Sequence, residues 1–517
     1  MLTDRPGRTR RWRAAAAVPA GALPALAFPA PALWWSGYVA LVPWMLLLRT
    51  APSGRRAALE GWLGGTGFVL AVHHWLLPSL HVFLLPLAAL LALLWIPWAL
   101  LVRQLLGGSP GAGRAAAALV LVPAGWLLSE LARSWEGLGG PWGLLGAGQW
   151  QVPAALRLAS VGGVWLLSLL VVAVNCALVL LIAVPAARLP ALAGVTGCAV
   201  LTGAVWLWAP RPELSGGLRV AVVQPGVVGG ADSVEQRFAV GERLTRALAG
   251  QRLDLVVWGE SSVGADPAAR PDLTRRLAAL SAELDAPLLV NVDARGADRP
   301  GIYKSSVLVG PHGPTGPRYD KMRLVPFGEY VPARSALGWA TSVGKAAGED
   351  RRRGTAPVLM ALPDRPEVRI GPLVCFESAF PDMTRRLARD GADLLVAQSA
   401  TSTFQDSWAP AQHASLAALR AAEAGRPMVH ATLTGISVVH GPSGERIGRP
   451  LPVWASGTAV YDVPLAHGST LYARFGAWPV AAALLSLAGY GAVAAAGRLR
   501  NRPAQAPTGP PARTARG

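Results

Sequence analysis

The sequence has few charged residues and very few cysteines. Asp, Glu, Lys and Arg make up 15% of its 517 residues, whereas an average soluble protein has roughly 25%. Apolar residues make up 52%, so a purely water-soluble enzyme is excluded. The three cysteines allow at most one disulfide bond, which excludes a small secreted fold held together by disulfides.

Negative charge is also scarce, since 30 acidic residues face 48 basic ones and the net charge is +18. The basic residues are spread along the chain with long charge-free gaps, so they do not form one phosphate-binding face, and no nucleic-acid partner is expected. The sequence also lacks a Walker or Rossmann glycine motif and metal-type histidine spacing. We therefore expect neither a nucleotide cofactor nor a bound metal.

Long charge-free apolar stretches predict eight membrane-spanning helices, because each crossing needs about 20 apolar residues. The predicted spans are 14–30, 33–48, 60–79, 82–102, 115–133, 160–184, 189–209 and 475–497. They divide the chain into a basic N-terminal segment (1–13), a membrane domain of about seven helices (14–210), a large domain (211–474), a C-terminal span (475–497) and a disordered tail (498–517).

Arginine clusters in the short loops orient these spans, because basic residues near span ends are retained in the cytoplasm. The clusters are Arg5, Arg8, Arg10, Arg11 and Arg13; Arg49, Arg55 and Arg56; Arg103 and Arg114; Arg498 and Arg500. All of them fall on one side of the predicted topology. Both termini are therefore predicted in the cytoplasm, and the domain 211–474 on the extracytoplasmic face of the plasma membrane. The alternative for 14–30 is a cleaved signal peptide, but no processing boundary follows it.

Two features of the membrane domain have a structural and a functional interpretation. Trp135, Trp142 and Trp150 are expected to be interfacial anchors, with a role in lipid access as the alternative. Glu130 and Arg133 are expected at the membrane edge, with an intramembrane functional pair as the alternative.

From about residue 216, short β-branched segments alternate with amphipathic, charged segments, which predicts an α/β domain. The predicted strands are Arg219 to Gln224, Leu255 to Trp258, Leu288 to Val292, Ser305 to Val309, Val368 to Val374, Leu394 to Ala397, Met428 to Ala431 and Ile436 to His440. The predicted helices are 232–250, 270–284, 381–390 and 410–424.

Three residues whose side chains could take part in catalysis lie at strand ends or in the loops that follow: Glu260, Lys321 and Cys375. Loops at strand ends are where catalytic groups tend to be presented. A cysteine nucleophile needs a base that removes its proton and a cation nearby, and these residues supply both. Taken singly, Glu260 is typical of a solvated turn and Cys375 of a small core residue.

Lysine is the rarest basic residue, with only Lys304, Lys321 and Lys345 among the 48. An ammonium group is a compact point charge, so Lys321 is a candidate for stabilising an oxyanion. Lys304 and Lys345 are expected to be exposed. His413 and His430 are expected to be structural histidines with satisfied hydrogen bonds, with a role in a site as the alternative.

Three segments carry a family resemblance. They are Trp258-Gly259-Glu260, Tyr319-Asp320-Lys321-Met322-Arg323-Leu324-Val325-Pro326-Phe327-Gly328-Glu329-Tyr330-Val331-Pro332, and Cys375-Phe376-Glu377-Ser378-Ala379-Phe380-Pro381-Asp382. Together they resemble the nitrilase superfamily, and the second resembles a run specific to the apolipoprotein N-acyltransferase family. The resemblance covers nearly the whole chain and includes Gly140-Pro141-Trp142 and 420–432. It implies an extracytoplasmic α/β domain with an αββα sandwich, attached to a multi-span helical membrane bundle.

The resemblance also implies a mechanism. Cys375 would be the nucleophile, Glu260 the general base and Lys321 the oxyanion-stabilising cation, with Glu329, Glu377 and Phe376 in supporting positions. The implied reaction moves an acyl chain from a membrane phospholipid, through a Cys375 thioester, to the α-amino group of the S-diacylglyceryl cysteine of a lipoprotein. No cofactor is implied.

Some positions depart from the family pattern. Gly259 replaces a proline and is expected to loosen its turn, Phe376 replaces a tyrosine, and 398–404 replaces an Asn-Asp-x-Trp-Phe stretch, for which Trp408 could supply an aromatic ring. Two other functions therefore stay open. One is a membrane-tethered amidase or nitrilase-type hydrolase with water as the final acceptor, and the other is an inactive lipid-binding scaffold.

Overall fold

The computed structural model describes residues 6–229, 233–296, 299–339, 341 and 347–500. The predictions for Arg5, Lys345 and 501–517 lie outside these residues. The first part of the chain is helical, the second is a two-sheet α/β domain, and a last helix follows.

The membrane domain is built from helices broken by proline-containing turns. They are α1 (Pro6–Ala22), α2 (Val42–Arg49), α3 (Gly54–His73), α4 (Leu77–Leu80), α5 (Leu84–Ala92), α6 (Ile96–Leu106), α7 (Ala112–Arg133), α8 (Pro153–Ala183) and α9 (Arg188–Trp208).

Five helical segments among the described residues are long and apolar enough to cross a membrane. They are Gly54–Leu106, Ala112–Arg133, Pro153–Ala183, Pro185–Trp208 and Trp478–Gly497. The first folds back on itself, since α3 packs along α5 and α6, and it occupies the place of two predicted spans. The predicted span 33–48 is not one continuous helix. It consists of the 3-10 helix Trp34–Tyr38 and the short α2. Pro43 lies in the first turn of α2, a position that favours the start of a helix.

The second part of the chain contains thirteen strands within the described residues. They are β1 (Glu213–Gln224), β2 (Leu255–Trp258), β3 (Leu288–Arg295), β4 (Ile302–Gly310), β5 (Gly313–Pro314), β6 (Tyr319–Asp320), β7 (Met360–Leu362), β8 (Arg365–Val374), β9 (Leu394–Ser399), β10 (Met428–Thr432), β11 (Ser437–His440), β12 (Arg446–Leu451) and β13 (Gly457–His467). Its helices are α10 (Ser233–Arg246), α11 (Pro271–Leu284), α12 (Arg334–Leu337), α13 (Pro381–Asp390), α14 (Ala409–Ala424) and α15 (Leu471–Phe475), and α16 (Trp478–Arg500) follows. All eight predicted strands and all four predicted helices are present.

The strands form two sheets that pack face to face. One has the order β13-β1-β2-β3-β4-β5, with β6 paired to β4, and the other has the order β12-β11-β10-β9-β8-β7. Buried residues such as Val222, Val257, Ile370 and Val396 fill the space between them. Helices α10 and α11 cover the outer face of the first sheet, and α13 and α14 cover that of the second. This confirms the predicted αββα sandwich.

The helical layer of α13 and α14 also packs against the membrane domain. Leu416 of α14 belongs to the same buried apolar cluster as Trp142 and Val164. Trp142 Nε1 donates to Gln412 Oε1 at 2.7 Å. The expectation that Trp142 is an interfacial anchor is therefore wrong, because it is buried beneath the α/β domain, whereas Trp135 is exposed.

Glu130 and Arg133 support the same junction from the membrane side. Both are fully buried within the protein, in the last turn of α7. Glu130 Oε1 accepts from the backbone N–H of Leu145 at 2.6 Å, and Arg133 donates to the carbonyls of Gly140 and Trp142. The pair thus holds the loop on which the α/β domain rests.

Helix α8 is interrupted at Gly163, whose φ of 68° lies in the left-handed region. The interruption frees the backbone N–H of Val164, which donates to Glu423 Oε1 of α14 at 2.7 Å. A Cβ at Gly163 would lie 2.6 Å from Cε2 of Tyr472. The kink therefore allows the α/β domain to contact the membrane helix closely.

We expect Gly163→Ala to destabilise this junction. The alanine would have to adopt the left-handed backbone conformation, and its Cβ would clash with Tyr472. The expected loss is about 1–3 kcal/mol of unfolding free energy, seen as a lower thermal midpoint in detergent. Gly197→Ala in α9 is the matched control, since nothing lies within 4 Å of its added Cβ. Equal midpoints for the two variants would contradict a constraint at Gly163.

Candidate active site

Strand ends of both sheets converge on one buried group of polar side chains. Strands β1, β2 and β3 run parallel in one sheet, and β8, β9 and β10 in the other. Glu260 follows β2 and Cys375 follows β8, and the N–H of Glu260 donates to the carbonyl of Ser399 at the end of β9 at 3.1 Å. Carboxyl ends of parallel strands thus bring the two predicted residues to the same edge.

Lys321 follows β6 and is completely buried. Its Nζ donates to Glu329 Oε1 at 2.7 Å and to Glu260 Oε1 at 3.3 Å. Burial alone would lower the pKa of Lys321, but the charges of Glu329 and Glu260 outweigh it and raise that pKa. Lys321 is therefore a fixed cation among the other predicted site residues.

Glu329 is the second carboxylate bound to Lys321. Its other oxygen, Oε2, accepts from the backbone N–H of Val325 at 2.8 Å. Burial opposes ionisation, but Lys321 and Lys304 prevail and hold the pKa of Glu329 well below its usual value. The site thus keeps Glu329 as a charged partner of Lys321.

Lys304 is a member of this site that sequence reasoning placed elsewhere. It lies in β4 opposite Asp293 of β3, and its Nζ donates to Glu260 Oε1 at 2.7 Å and lies 3.3 Å from Glu329 Oε1. The expectation that Lys304 is exposed is wrong, because only 13% of its side chain is accessible. A lysine in a strand that leads to the predicted site was the available signal.

Cys375 opens the turn after β8 with a φ of 50°. Such a left-handed conformation is uncommon for a residue other than glycine and is often found at functional sites. Burial, followed by the charge of Glu260, raises the pKa of Cys375 to about 11, although Lys321 acts in the opposite direction. Cys375 is therefore a thiol at neutral pH, so any reaction in which its sulfur acts as a nucleophile needs a base.

Glu377 braces the nucleophile turn. Its Oε2 accepts from the N–H of Val374 at 2.7 Å, and its Oε1 accepts from the hydroxyl of Tyr319 at 2.8 Å and from the N–H of Met322 at 2.7 Å. Burial raises the pKa of Glu377. Its contacts join the turn that carries Cys375 to the loop that carries Lys321, which is a positioning role.

His413 holds the same turn from α14. One ring nitrogen, Nε2, lies 3.1 Å from the Cys375 carbonyl and 2.9 Å from Ser378 Oγ, and Nδ1 lies 3.1 Å from Ser399 Oγ. Burial lowers the pKa of His413 to about 4, so the ring is neutral at pH 7. His430 packs against it with ring centroids 4.7 Å apart. His413 therefore belongs to the candidate site and positions the turn at Cys375, whereas Nδ1 of His430 has no hydrogen-bond partner among the described residues.

The departures from the family pattern are accommodated by packing. A Cβ at Gly259 would lie 1.9 Å from the backbone nitrogen of Leu433. Gly259 thus permits a close backbone approach that a residue with a side chain would prevent. Gln398 donates to the carbonyls of Trp258 and Leu289 at 2.8 and 3.2 Å, which links the two sheets.

Aromatic residues around the site rest on the membrane domain. Phe376 packs against Phe380 with ring centroids 4.9 Å apart, and a Cβ on Gly140 would lie 2.8 Å from Phe376. Trp408 packs edge-on against His74, with ring centroids 4.5 Å apart. The nucleophile turn and the 402–408 region therefore face the membrane helices.

Two protein families match different parts of this chain. The carbon-nitrogen hydrolase family matches residues 219–471, so the two-sheet domain is a carbon-nitrogen hydrolase domain. The apolipoprotein N-acyltransferase N-terminal domain matches residues 20–177.

Relatives that align with nearly the whole chain identify the family to which it belongs. A protein of Azotobacter vinelandii described as apolipoprotein N-acyltransferase is 33% identical and aligns over 96% of each chain. Its counterpart in Geobacter metallireducens is 30% identical over 89% of this chain and 91% of its own. The chain belongs to the apolipoprotein N-acyltransferase family, which confirms the resemblance found in the sequence.

Solved structures align with half of the chain. An amidase from Nesterenkonia sp. is 20% identical, with a TM-score of 0.34 over 50% of this chain and 92% of its own. Saccharomyces cerevisiae Nit3, a member of the nitrilase superfamily, is 17% identical, with a TM-score of 0.38 over 50% of this chain and 93% of its own.

The raised thiol pKa predicts how Cys375 reacts with iodoacetamide. The thiolate is the reactive form, so below about pH 11 the alkylation rate should rise about tenfold for each pH unit. Peptide-level mass spectrometry after alkylation between about pH 7 and 10 measures this rate for Cys375 alone. A plateau that begins below about pH 8 would show that the thiolate is already formed at rest.

Removing the charge of Lys304 should impair acyl transfer. Lys304→Met leaves Glu260 and Glu329 with one ammonium partner, so the rate should fall about tenfold or more. The pKa of Glu329 should rise, and the acidic limb of the pH–rate profile should move to higher pH.

The matched control is Arg351→Met. Arg351 lies 3.4 Å from Asp293, which Lys304 also approaches, at 3.7 Å. Among the described residues, Arg351 forms no ion pair with Glu260. An unchanged pH–rate profile in Lys304→Met, or the same shift in both variants, would show that Lys304 only fills space.

Proposed function

We propose that this chain transfers an acyl chain from a membrane phospholipid to the N-terminal α-amino group of a diacylated lipoprotein, with Cys375 as nucleophile, Glu260 as general base and Lys321 as oxyanion-stabilising cation. The observation that carries the proposal is the buried group of Glu260, Lys321, Glu329 and Lys304 beside Cys375. Family membership supports the substrates.

In the first half-reaction, Cys375 Sγ attacks the ester carbonyl carbon of the phospholipid. Because Cys375 rests as a thiol, its proton must leave as the C–S bond forms, and Glu260 is the base beside it. Negative charge develops on the carbonyl oxygen, where a buried ammonium such as Lys321 is most effective. The C–O bond then breaks, Glu260 returns the proton to the leaving lysophospholipid oxygen, and a thioester remains.

In the second half-reaction, the lipoprotein amine attacks the thioester carbonyl. Glu260 takes the proton from the attacking nitrogen, the C–S bond breaks, and the sulfur recovers the proton. The enzyme returns to its starting state, so the two substrates use one site in turn. Lys304 and Glu329 touch no reacting atom in this scheme, and they position Glu260 and Lys321.

The membrane setting suits these substrates. The outer helices of the α/β domain pack on the membrane domain, and Phe83 of the membrane domain packs against Trp339, with ring centroids 5.9 Å apart. Lipid ester and lipoprotein amine both reside at a membrane surface, so a site held there meets both at high effective concentration. An apolar surround also excludes water, which would hydrolyse the thioester.

We place the catalytic domain (211–474) on the extracytoplasmic side of the plasma membrane, with the membrane domain (14–210) before it and the C-terminal span (475–497) after it. Support for this topology comes from the arginine clusters at 49–56 and 103–114, which fall on the opposite side from the catalytic domain.

Incubation of the detergent-purified protein with phosphatidylethanolamine should add one acyl chain to Cys375 and release one lysophospholipid. Intact-mass spectrometry measures the adduct, and loss of the added mass in hydroxylamine identifies a thioester. Cys375→Ala should form no adduct, and Glu260→Gln should lower the acylation rate by about 100-fold or more. Cys176→Ala is the matched control, because that cysteine is buried in the membrane domain. An adduct of equal yield in Cys375→Ala would contradict the assignment.

A further inference from the structure

A cavity that Cys375 does not line lies where helices α8 and α9 meet the turn between β11 and β12. Its volume is about 590 Å³, and none of the proposed catalytic residues lines it. The membrane domain contributes Arg157 and Trp206, and the catalytic domain contributes Arg446. The cavity therefore belongs to both domains.

Positive charge dominates the lining. Arg157, Arg211 and Arg446 line the cavity, and Glu445 is the acidic residue among its neighbours. In the part of the chain that the structure describes, none of these three guanidinium groups forms an ion pair with a carboxylate. Arg211 and Arg157 line the same cavity, so their like charges oppose each other. A group of like charges in a cavity favours an anionic ligand.

The most buried of the three, Arg157, is only partly satisfied. It is 8% exposed, and it donates to the carbonyls of Pro210, at 2.9 Å, and Ala209 at the end of α9. Its Nε has no hydrogen-bond partner among the described residues. The Glu445 carboxylate is turned to the backbone, where its Oε2 accepts from the N–H of Ser443 at 2.9 Å. Arg157 also lines the cavity, and a planar guanidinium suits a phosphate oxygen.

Aromatic residues place the cavity at the level of lipid headgroups. Trp150 and Trp206 line it, and the last turn of α9 exposes Trp206, Leu207 and Trp208. Tryptophan at the end of an apolar helix is typical of the interface between hydrocarbon and headgroups. An anion in this cavity would therefore lie where phospholipid phosphates lie.

We propose that this cavity binds the phosphate of an anionic phospholipid, which Arg157, Arg211 and Arg446 hold between the membrane domain and the catalytic domain. The bound lipid is not an acyl donor, because the cavity contains none of the residues that carry the transfer. Its single negative charge reduces the repulsion among three arginines at a domain junction, and the lipid adds a bridge between α8, α9 and the β11–β12 turn.

Native mass spectrometry of the full-length protein in detergent tests this proposal with phosphatidylglycerol as the probe. The test variant is Arg211→Met/Arg446→Met, because both side chains are exposed and Arg157 keeps its contacts to the end of α9. We expect the Kd for one tightly held phosphatidylglycerol to rise about tenfold or more. Arg449→Met is the matched control, since Arg449 is exposed on the same strand, β12, and does not line the cavity.

Three outcomes would overturn the proposal. An equal loss in Arg449→Met would assign the binding to general surface charge. Equal retention of zwitterionic phosphatidylcholine would show that the cavity does not select an anionic lipid, and displacement by millimolar inorganic phosphate would assign it to a free anion. The readout is lipid retention, so it is independent of Cys375 and of the proposed acyl transfer.

Discussion

Two buried ammonium groups and two buried carboxylates determine how this domain is arranged. Lys321 and Lys304 both contact Glu260 Oε1 and Glu329 Oε1. A charge removed from water costs several kcal/mol unless a partner compensates it, so none of the four could be buried alone. Because they come from the ends of β2 and β6, from β4 and from the loop at 329, the first sheet must close around them.

The second sheet brings Cys375, the proposed nucleophile, to this charged group. Cys375 stays a thiol because burial and Glu260 disfavour its thiolate, so in the proposed mechanism the proton leaves only when a substrate carbonyl arrives. Glu377 and His413 position the turn without joining the chemistry, through contacts to Val374, Met322 and the Cys375 carbonyl. The same turn faces the membrane domain through Phe376. The charged group therefore lies next to an apolar surface from which a lipid substrate could enter.

Sequence reasoning found the residues that follow strands and missed those whose position depends on packing. Cys375, Glu260 and Lys321 were recognisable because each lies at a strand end or in a run typical of the family. Lys304 lies within a strand, and only the pairing of β4 with β3 shows which groups it meets. Trp142 was misplaced for a similar reason, since it is buried against the α/β domain, where it donates to Gln412. Strand β13 was missed because Asp462 and Pro464 interrupt its apolar pattern.

The central claim is that the acyl group on Cys375 passes to an amine and is protected from water. The most direct test follows the discharge of isolated acyl-enzyme, by intact mass, in buffer alone and with a synthetic diacylated lipopeptide. The account predicts a long-lived thioester in buffer and rapid loss with the lipopeptide, together with one acyl chain gained on the peptide amine. Equally fast loss in both conditions, with free fatty acid as the product, would contradict it and identify a hydrolase.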